Sequence, residues 1–166
     1  MKKREPNQVY AEIKLNESRY WESNYQQRIL RILQQKGIQI VQENLQAIVN
    51  ATSFRELSQD PEFKPHCPCY RAGKPCHDKV EDLNCFLCNC PNYETDLFYP
   101  ETNGDILLGR CKANSQRGKY FPTPQFPEVK IWDCSDCPAY HSPNIVLNHI
   151  QKNLPKIQEQ ARGIQK

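Results

Sequence analysis

The first sixty residues place apolar side chains at helical spacing. The first stripe consists of Trp21, Tyr25, Ile29, Ile32 and Leu33. Steps of three and four residues put these side chains on one face of a helix, and such a face is usually buried. Gly37 follows the stripe, and a glycine at this point is a common helix end. The pattern predicts an amphipathic helix that ends near Gly37.

A second apolar stripe follows after a short break. It consists of Val41, Leu45, Ile48 and Val49, and it predicts a second helix that folds back on the first. Ser53, with Glu56 three residues later, fits a capping box that opens a short third helix before Pro61. The N-terminal region is therefore predicted to be a helical hairpin with a short extension.

Helical spacing returns at the C-terminal end of the chain. Ser142 and Pro143 form a good helix start, and Val146, Ile150 and Leu154 then fall on one face. Proline inside a helix removes a hydrogen bond and clashes with the preceding turn. We therefore expect Pro155 to end or kink this helix and the last residues to fray.

The middle of the chain has no helical period. Residues 61–141 hold all nine cysteines and ten of the thirteen prolines. Asp105–Leu108 and Val129–Trp132 are short β-prone runs, and the proline-rich stretch Gly118–Pro127 is typical of a surface loop. The predicted fold class is α+β, with an N-terminal helical hairpin, an irregular metal-stabilised cysteine-rich middle with short strands, and a C-terminal helix. The predicted domains are a helical region at 1–61, a cysteine-rich metal-binding domain with its helix at 62–155, and a flexible tail at 156–166.

Composition indicates how such a middle could be held together. Only 38% of residues are hydrophobic and the mean hydropathy is −0.81, so an apolar core needs help from other interactions. The N-terminus lacks the apolar run of a secretory signal, and no stretch reaches the ~18 apolar residues of a membrane span. These features predict a cytoplasmic protein without membrane contact. In a reducing cytosol, nine cysteines indicate bound metal rather than disulfides.

Charge disfavours a nucleic-acid partner. The chain has a net charge of +3, but residues 63–141 carry ten Asp or Glu against nine Lys or Arg. Cysteines that bind metal lose their protons, which makes this block more negative. Nucleic-acid binding depends on neutralising phosphates with basic side chains, so this block is a poor candidate.

The cysteines lie at spacings typical of metal ligands. Two Cys-x-x-Cys pairs occur, Cys85 with Cys88 and Cys134 with Cys137, and this turn brings two thiolates to one ion. The predicted ligands are Cys69, Cys76, His77, Cys85, Cys88, Cys90, Cys111, Cys134, Cys137 and His141. They are enough for about two tetrahedral zinc ions, which together need eight ligands.

The predicted division between the two ions leaves alternatives open. One site takes Cys134, Cys137 and His141, with Cys90 or Cys111 as the fourth ligand. The other takes Cys76, Cys85 and Cys88, with Cys69 or His77 as the fourth. Cys67 and His66 rank lowest as ligands.

The spaced motif as a whole resembles a known family. Its parts are Cys69, Pro75-Cys76-His77, Asn84-Cys85-Phe86-Leu87-Cys88-Asn89-Cys90-Pro91, Cys111, Asp133-Cys134-Ser135-Asp136-Cys137 and His141. This pattern resembles the cysteine-rich small domain family of bacterial and archaeal proteins, described as probable metal-binding, zinc-finger-like domains of uncharacterised function. The resemblance covers about half of the chain and implies a metal-binding domain there. Some relatives occur beside or fused to corrinoid-handling enzymes.

Three functions compete. The favoured one is a structural zinc module for a protein partner, with Tyr93, Phe98, Tyr99, Tyr120, Phe121 and Phe126 as a candidate contact surface. The first alternative is an iron–sulfur protein in electron transfer or metallocofactor (including corrinoid) metabolism, with a [4Fe-4S] cluster on Cys76, Cys85, Cys88 and Cys90. The second is a metal-dependent enzyme. It is disfavoured because the chain has no His-Glu-x-x-His, no Gly-x-Ser-x-Gly and no phosphate-binding glycine loop.

Overall fold

The computed structural model describes residues 24–77, 80–88, 90–124, 126–134 and 136–164. The fold is mixed α+β, as predicted, and the chain divides into two compact units. The helical unit consists of Asn24–Cys90 together with the segment from Pro138 onward, and the sheet unit is Pro91–Cys137. These units divide the chain differently from the predicted domains, because the cysteine-rich middle is shared between them.

The helical unit begins with α1, which is helical over 24–35. Tyr25, Ile29, Ile32 and Leu33 of the predicted stripe are buried, whereas Trp21 lies outside the described residues. Gly37 has a φ of +67°, and its N–H donates to the Gln34 carbonyl while the Ile38 N–H donates to the Leu33 carbonyl. These two bonds form the Schellman motif, so the predicted helix end at Gly37 is confirmed.

Three short helices follow. They are α2 (Leu45–Ala51), preceded by a 3₁₀ turn at Gln42–Asn44, α3 (Phe54–Leu57) and α4 (Pro68–Ala72). Leu45, Ile48 and Val49 of the second stripe are buried. The Ser53 hydroxyl accepts a hydrogen bond from the Glu56 N–H at 3.3 Å, as expected of an N-cap. α4 was not predicted, because five residues are too few to show a period.

The last helix, α5 (Pro143–Ile164), differs from its prediction at one point. It begins at the predicted Pro143, but it continues through Pro155 to Ile164 instead of ending there. Ile157 is buried, and the Gln158 side-chain amide donates to the Ile40 carbonyl at 2.8 Å. These contacts hold residues 156–164 as helix, where we had expected a flexible tail.

One apolar core fills the helical unit. It is built from all five helices, with Tyr70 contributed by α4, and from the segment around Leu83–Leu87, which carries the first Cys-x-x-Cys pair. Cys85 is part of this core, and Cys67 and Cys88 pack against it. The ligand-bearing loops of this unit therefore lie directly on its core.

The sheet unit contains four strands in the order β1-β2-β4-β3. They are β1 (Tyr93–Pro100), β2 (Ile106–Cys111), β3 (Lys119–Pro122) and β4 (Val129–Asp133). β2 pairs in parallel with β4, and the other two pairings are antiparallel. Leu108 and Val129 form a small core with Ile106, Phe126 and Ile131.

Two predictions about the sheet can be compared with the strands. The β-prone runs at 105–108 and 129–132 largely coincide with β2 and β4. The stretch predicted as a surface loop from Gly118 contains β3 instead. Because β3 lies at an edge of the sheet, Pro122 can belong to it without disrupting an interior ladder.

Candidate metal centre

The structure places one cysteine and two histidines close together in the helical unit. The potential ligand atoms of Cys76, His77 and His141 all lie within 4.8 Å of one another. In a tetrahedral zinc site, bonds of 2.0–2.3 Å separate neighbouring ligand atoms by about 3.3–3.8 Å. The ligand atoms are therefore at most about 1.0–1.5 Å further apart than one ion requires.

His141 is oriented as a metal ligand usually is. It is 8% exposed, and its Nδ1 lies 3.0 Å from the Asn84 carbonyl oxygen. When Nδ1 carries the hydrogen and donates it to this carbonyl, the Nε2 lone pair remains available for an ion. Metal-binding histidines are commonly held by this kind of bond from the second ring nitrogen.

Asn84 holds the segments around this histidine in place. Its backbone N–H donates to the His141 carbonyl at 2.8 Å, so the two residues are joined twice. Its side-chain Nδ2 donates to the Val49 carbonyl at 2.6 Å, and its Oδ1 accepts from the Phe86 N–H at 2.9 Å. This fully buried residue thus links the end of α2 to the Cys-x-x-Cys turn through its side chain, and it binds His141 through its backbone.

The two imidazoles lie against each other. The ring centroids of His77 and His141 are 4.5 Å apart, with an interplanar angle of 41°. Burial, and to a smaller extent His77, lowers the pKa of His141. A lowered pKa keeps the ring neutral near pH 7, which is the form that binds metal.

Cys76 also belongs to a set of five cysteines whose pKa values are linked. We call Cys67, Cys69, Cys76, Cys85 and Cys88 the thiol group. Burial and then Cys67 raise the pKa of the Cys69 thiol, and burial and then Cys76, Cys67 and Cys69 raise the pKa of Cys88. All five belong to the helical unit.

Short local structures bring the thiol group together. Cys67 is the N-cap of α4 and Cys69 lies in its first turn. At the other end, Gly73 has a φ of +65°, and the Lys74 N–H donates back to the Cys69 carbonyl at 3.1 Å. The chain therefore reverses direction at Gly73 and passes next to Cys69 again at Lys74, two residues before Cys76.

The Cys-x-x-Cys turn is held from two sides. The Cys88 N–H donates to the Cys85 carbonyl at 3.2 Å, and the Cys85 N–H donates to the Thr52 carbonyl at 2.9 Å. The buried Tyr25 hydroxyl also donates to the Cys85 carbonyl, at 2.5 Å. The backbone of the turn is thereby fixed by α1 and by the end of α2.

The thiols raise one another's pKa. Burial first, and then the charges of neighbouring thiols, raises the pKa of Cys88 to about 12. The pKa of Cys76 rises to about 11, also first through burial and then through Cys69. A divalent cation would reverse this effect, since it favours the thiolate form of each ligand.

The remaining predicted ligands lie elsewhere. Cys90 ends the first segment of the helical unit, whereas Cys111, Cys134 and Cys137 belong to the sheet unit. The Cys137 N–H donates to the Cys134 carbonyl at 2.8 Å, and the Ser115 hydroxyl donates to Cys137 Sγ at 3.8 Å. Within the described ranges, Cys76, His77 and His141 form the one group of three ligands that meets the 4.8 Å distance.

The position of His141 can be compared with the predicted division of ligands between two zinc ions. We predicted His141 in a site with Cys134 and Cys137, and His77 as an option for the other site. The structure brings His141 to His77 and Cys76. The roles of Cys134 and Cys137 stay a prediction. Cys67, which ranked lowest, contributes after burial to the raised pKa of Cys69, and its Cys-x-Cys spacing was the signal in the sequence.

None of the nine cysteines, all of which are in the described ranges, forms a disulfide bond. Within the described part of the chain, no helix has the length and apolar character needed to cross a membrane. The structure is therefore that of a cysteine-rich protein with a potential metal site.

Three of the six aromatic residues of the predicted contact surface form contacts within the sheet unit. The Tyr93 hydroxyl donates to the Trp132 carbonyl and the Tyr120 hydroxyl donates to the Gly109 carbonyl, both at 2.8 Å. Phe126 packs against the small core, whereas Phe121 is 43% exposed. The side chains of Phe98 and Tyr99 lie outside the described part.

Comparisons with protein-family models, with curated proteins and with solved structures each found no match to this chain. We therefore infer the function from the geometry of the candidate metal centre.

Proposed function

We propose that this protein binds zinc through Cys76, His77 and His141, and that the ion stabilises the helical unit as a module for protein contacts. The observation that supports this most is the meeting of these three ligands within 4.8 Å, with His141 already oriented by Asn84. Nitrogen and sulfur ligands in a tetrahedral arrangement are typical of zinc. Cys69, which after burial contributes most to the raised pKa of Cys76, is our choice for the fourth ligand.

The position of the ligands favours a structural ion. Cys76 and His77 follow α4, whereas His141 lies in the 3₁₀ turn Ala139–His141 just before α5. An ion bound to all three would fasten the loop after α4 to the start of α5. Because His141 is buried and a thiol completes four ligands, a closed site is favoured over an open catalytic one.

The experiment measures metal content and the absorption spectrum of protein purified without oxygen. The proposal predicts colourless protein that contains zinc. A brown protein with iron and inorganic sulfide would contradict it and support the iron–sulfur alternative.

A pair of histidine variants tests the site itself. His141→Gln removes a ligand, and we expect it to reduce the zinc content by one ion per chain. His149→Gln is the matched control, because His149 lies on α5 outside the ligand group. Equal zinc content in the two variants would contradict the proposed site.

A further inference from the structure

The three ligands of the proposed zinc site differ in their exposure to solvent. His141 is buried, His77 is half-buried and Cys76 is exposed. Each of the other eight cysteines, all of them in the described part of the chain, is buried or half-buried. Because burial still raises the pKa of its thiol, Cys76 is open to solvent over part of its surface. Solvent therefore reaches the ligand group from the side of Cys76.

The opposite side of the ligand group is closed. His141 is joined twice to the backbone of Asn84, and Asn84 is itself fully buried. Cys76, by contrast, lies in the loop after α4, outside the helices and strands. A small reagent in solution can therefore reach the thiol of Cys76 without displacing the buried part of the site.

Bound zinc would place this exposed residue in its reactive form. A cysteine binds zinc as the thiolate, and the thiolate is the form that reacts as a nucleophile. Oxidation of a cysteine is favoured by thiolate character and by access to solvent. In the proposed site Cys76 combines the two conditions, whereas Cys69, the proposed fourth ligand, is half-buried.

We propose that hydrogen peroxide oxidises Cys76 and thereby releases the zinc ion, which makes the site a redox switch of the helical unit. The thiolate sulfur attacks one oxygen of the peroxide, so that an S–O bond forms, the O–O bond breaks and hydroxide leaves. The transferred oxygen keeps its proton. The sulfur loses two electrons and becomes a sulfenic acid, and the peroxide gains the same two electrons. This inference rests on the proposed function, and it specifies how the zinc site is regulated.

Oxidation leaves the ion with one ligand fewer. Substitution of groups that only orient metal ligands typically weakens metal binding 10–100-fold, so we expect the loss of a ligand to weaken zinc binding by at least about 100-fold. The helical unit should then unfold, because the ion is proposed to stabilise it. A sulfenic acid is reversible, so a thiol reductant and added zinc should restore the folded unit.

The switch can be tested with full-length, zinc-loaded protein that has been purified without oxygen. The protein is treated with an equimolar amount of hydrogen peroxide, released zinc is measured with a chromogenic chelator, and sulfenic acids are trapped with dimedone and located by peptide mass spectrometry. We expect the first modification at Cys76, with one zinc ion released for each modified Cys76. A first modification at another cysteine, or zinc that stays bound when Cys76 is modified, would overturn the switch.

Variants connect zinc release to Cys76. Histidine is a zinc ligand without sulfur, so Cys76→His is expected to retain its zinc under the same treatment. Cys67→Ser is the control, because Cys67 is half-buried and lies outside the proposed ligand set, and it should release zinc as the unmodified protein does. Equal release from Cys76→His and the unmodified protein would overturn the switch. If Cys76→His fails to bind zinc, the location of the first modification in the unmodified protein decides.

The test separates this inference from the proposed function. Zinc that requires His141 and stays bound after oxidation of Cys76 would overturn the switch and leave the proposed zinc site standing. A protein that contains no zinc before peroxide is added would overturn both proposals.

Discussion

At the scale of single residues, Asn84 matters more than its chemistry suggests. Asparagine is not among the usual zinc ligands. The position of Asn84 directly before Cys85 in the sequence did not indicate that it would be buried. The structure gives it 0% exposure and bonds to Val49, Phe86 and His141. It positions the candidate metal centre from outside the set of ligands, as second-shell groups commonly do.

Substitution of Asn84 tests this positioning. Asn84→Ala removes the side-chain bonds and leaves buried polar partners unsatisfied, at a cost of about 1–3 kcal/mol for each such group. We expect the free energy of unfolding to fall by about 3 kcal/mol, measured by urea denaturation of the zinc-loaded protein.

Asn50→Ala is the control for this substitution. The Asn50 side chain accepts a bond from Gln46 at an exposed position, so we expect a change of about 0.5 kcal/mol or less. A similar, small effect of both substitutions would contradict the role that we assign to Asn84.

The ligands also show what residue patterns can and cannot predict. The Cys-x-x-Cys and Pro-Cys-His motifs indicated metal-binding chemistry because ligand spacing is local. The meeting of His77 with His141 was not predictable, since only the packing of α5 against the rest of the unit brings residues 64 positions apart together.

At the scale of elements, long apolar stripes were predicted well and short elements poorly. α1, α2 and the start of α5 follow from period and capping residues, whose physical causes are local. α4 is too short to show a period, and β1 contains an irregularity between Glu94 and Phe98 that breaks strand alternation. β3 is an edge strand in which proline is tolerated.

The continuation of α5 through Pro155 reflects tertiary contacts. Proline inside a helix costs about 3 kcal/mol, so something beyond local preference must hold residues 156–164. Ile157 is 6% exposed, and the Gln34 amide donates to the Ala161 carbonyl at 3.2 Å. Packing against α1 and the Ile38–Ile40 segment offsets the local cost.

Two isoleucines on α5 test this explanation. Ile157→Ala removes a buried side chain, and we expect a loss of about 2–5 kcal/mol of stability. Ile145→Ala is the matched control because Ile145 is 40% exposed, and its effect should stay near 0.5 kcal/mol. Equal midpoints of thermal unfolding for the two variants would show that the end of α5 does not contribute to the fold.

At the scale of the whole molecule, the two units rely on different amounts of apolar burial. The helical unit has a core drawn from five helices, and the candidate metal centre lies on it. Among the described side chains, the core of the sheet unit has two buried residues with three partly buried neighbours. The sequence predicted that apolar burial alone would be modest, and among the described side chains this burial is smaller in the sheet unit.

The proposed ion can contribute a large part of the free energy of folding. Structural zinc contributes apparent free energies of about 10–16 kcal/mol at pH 7 in zinc-finger peptides, which is as large as the 5–15 kcal/mol by which most domains are stable. Removal of the ion should therefore unfold the helical unit, and not only lower its unfolding temperature.

The most direct test is thermal unfolding of the reduced, full-length protein, followed by circular dichroism at a helical wavelength, before and after removal of metal by a chelator. We predict that the cooperative unfolding transition disappears with the metal and returns when zinc is added back. A metal-free, reduced protein that keeps the same helical signal and the same unfolding midpoint would contradict the account.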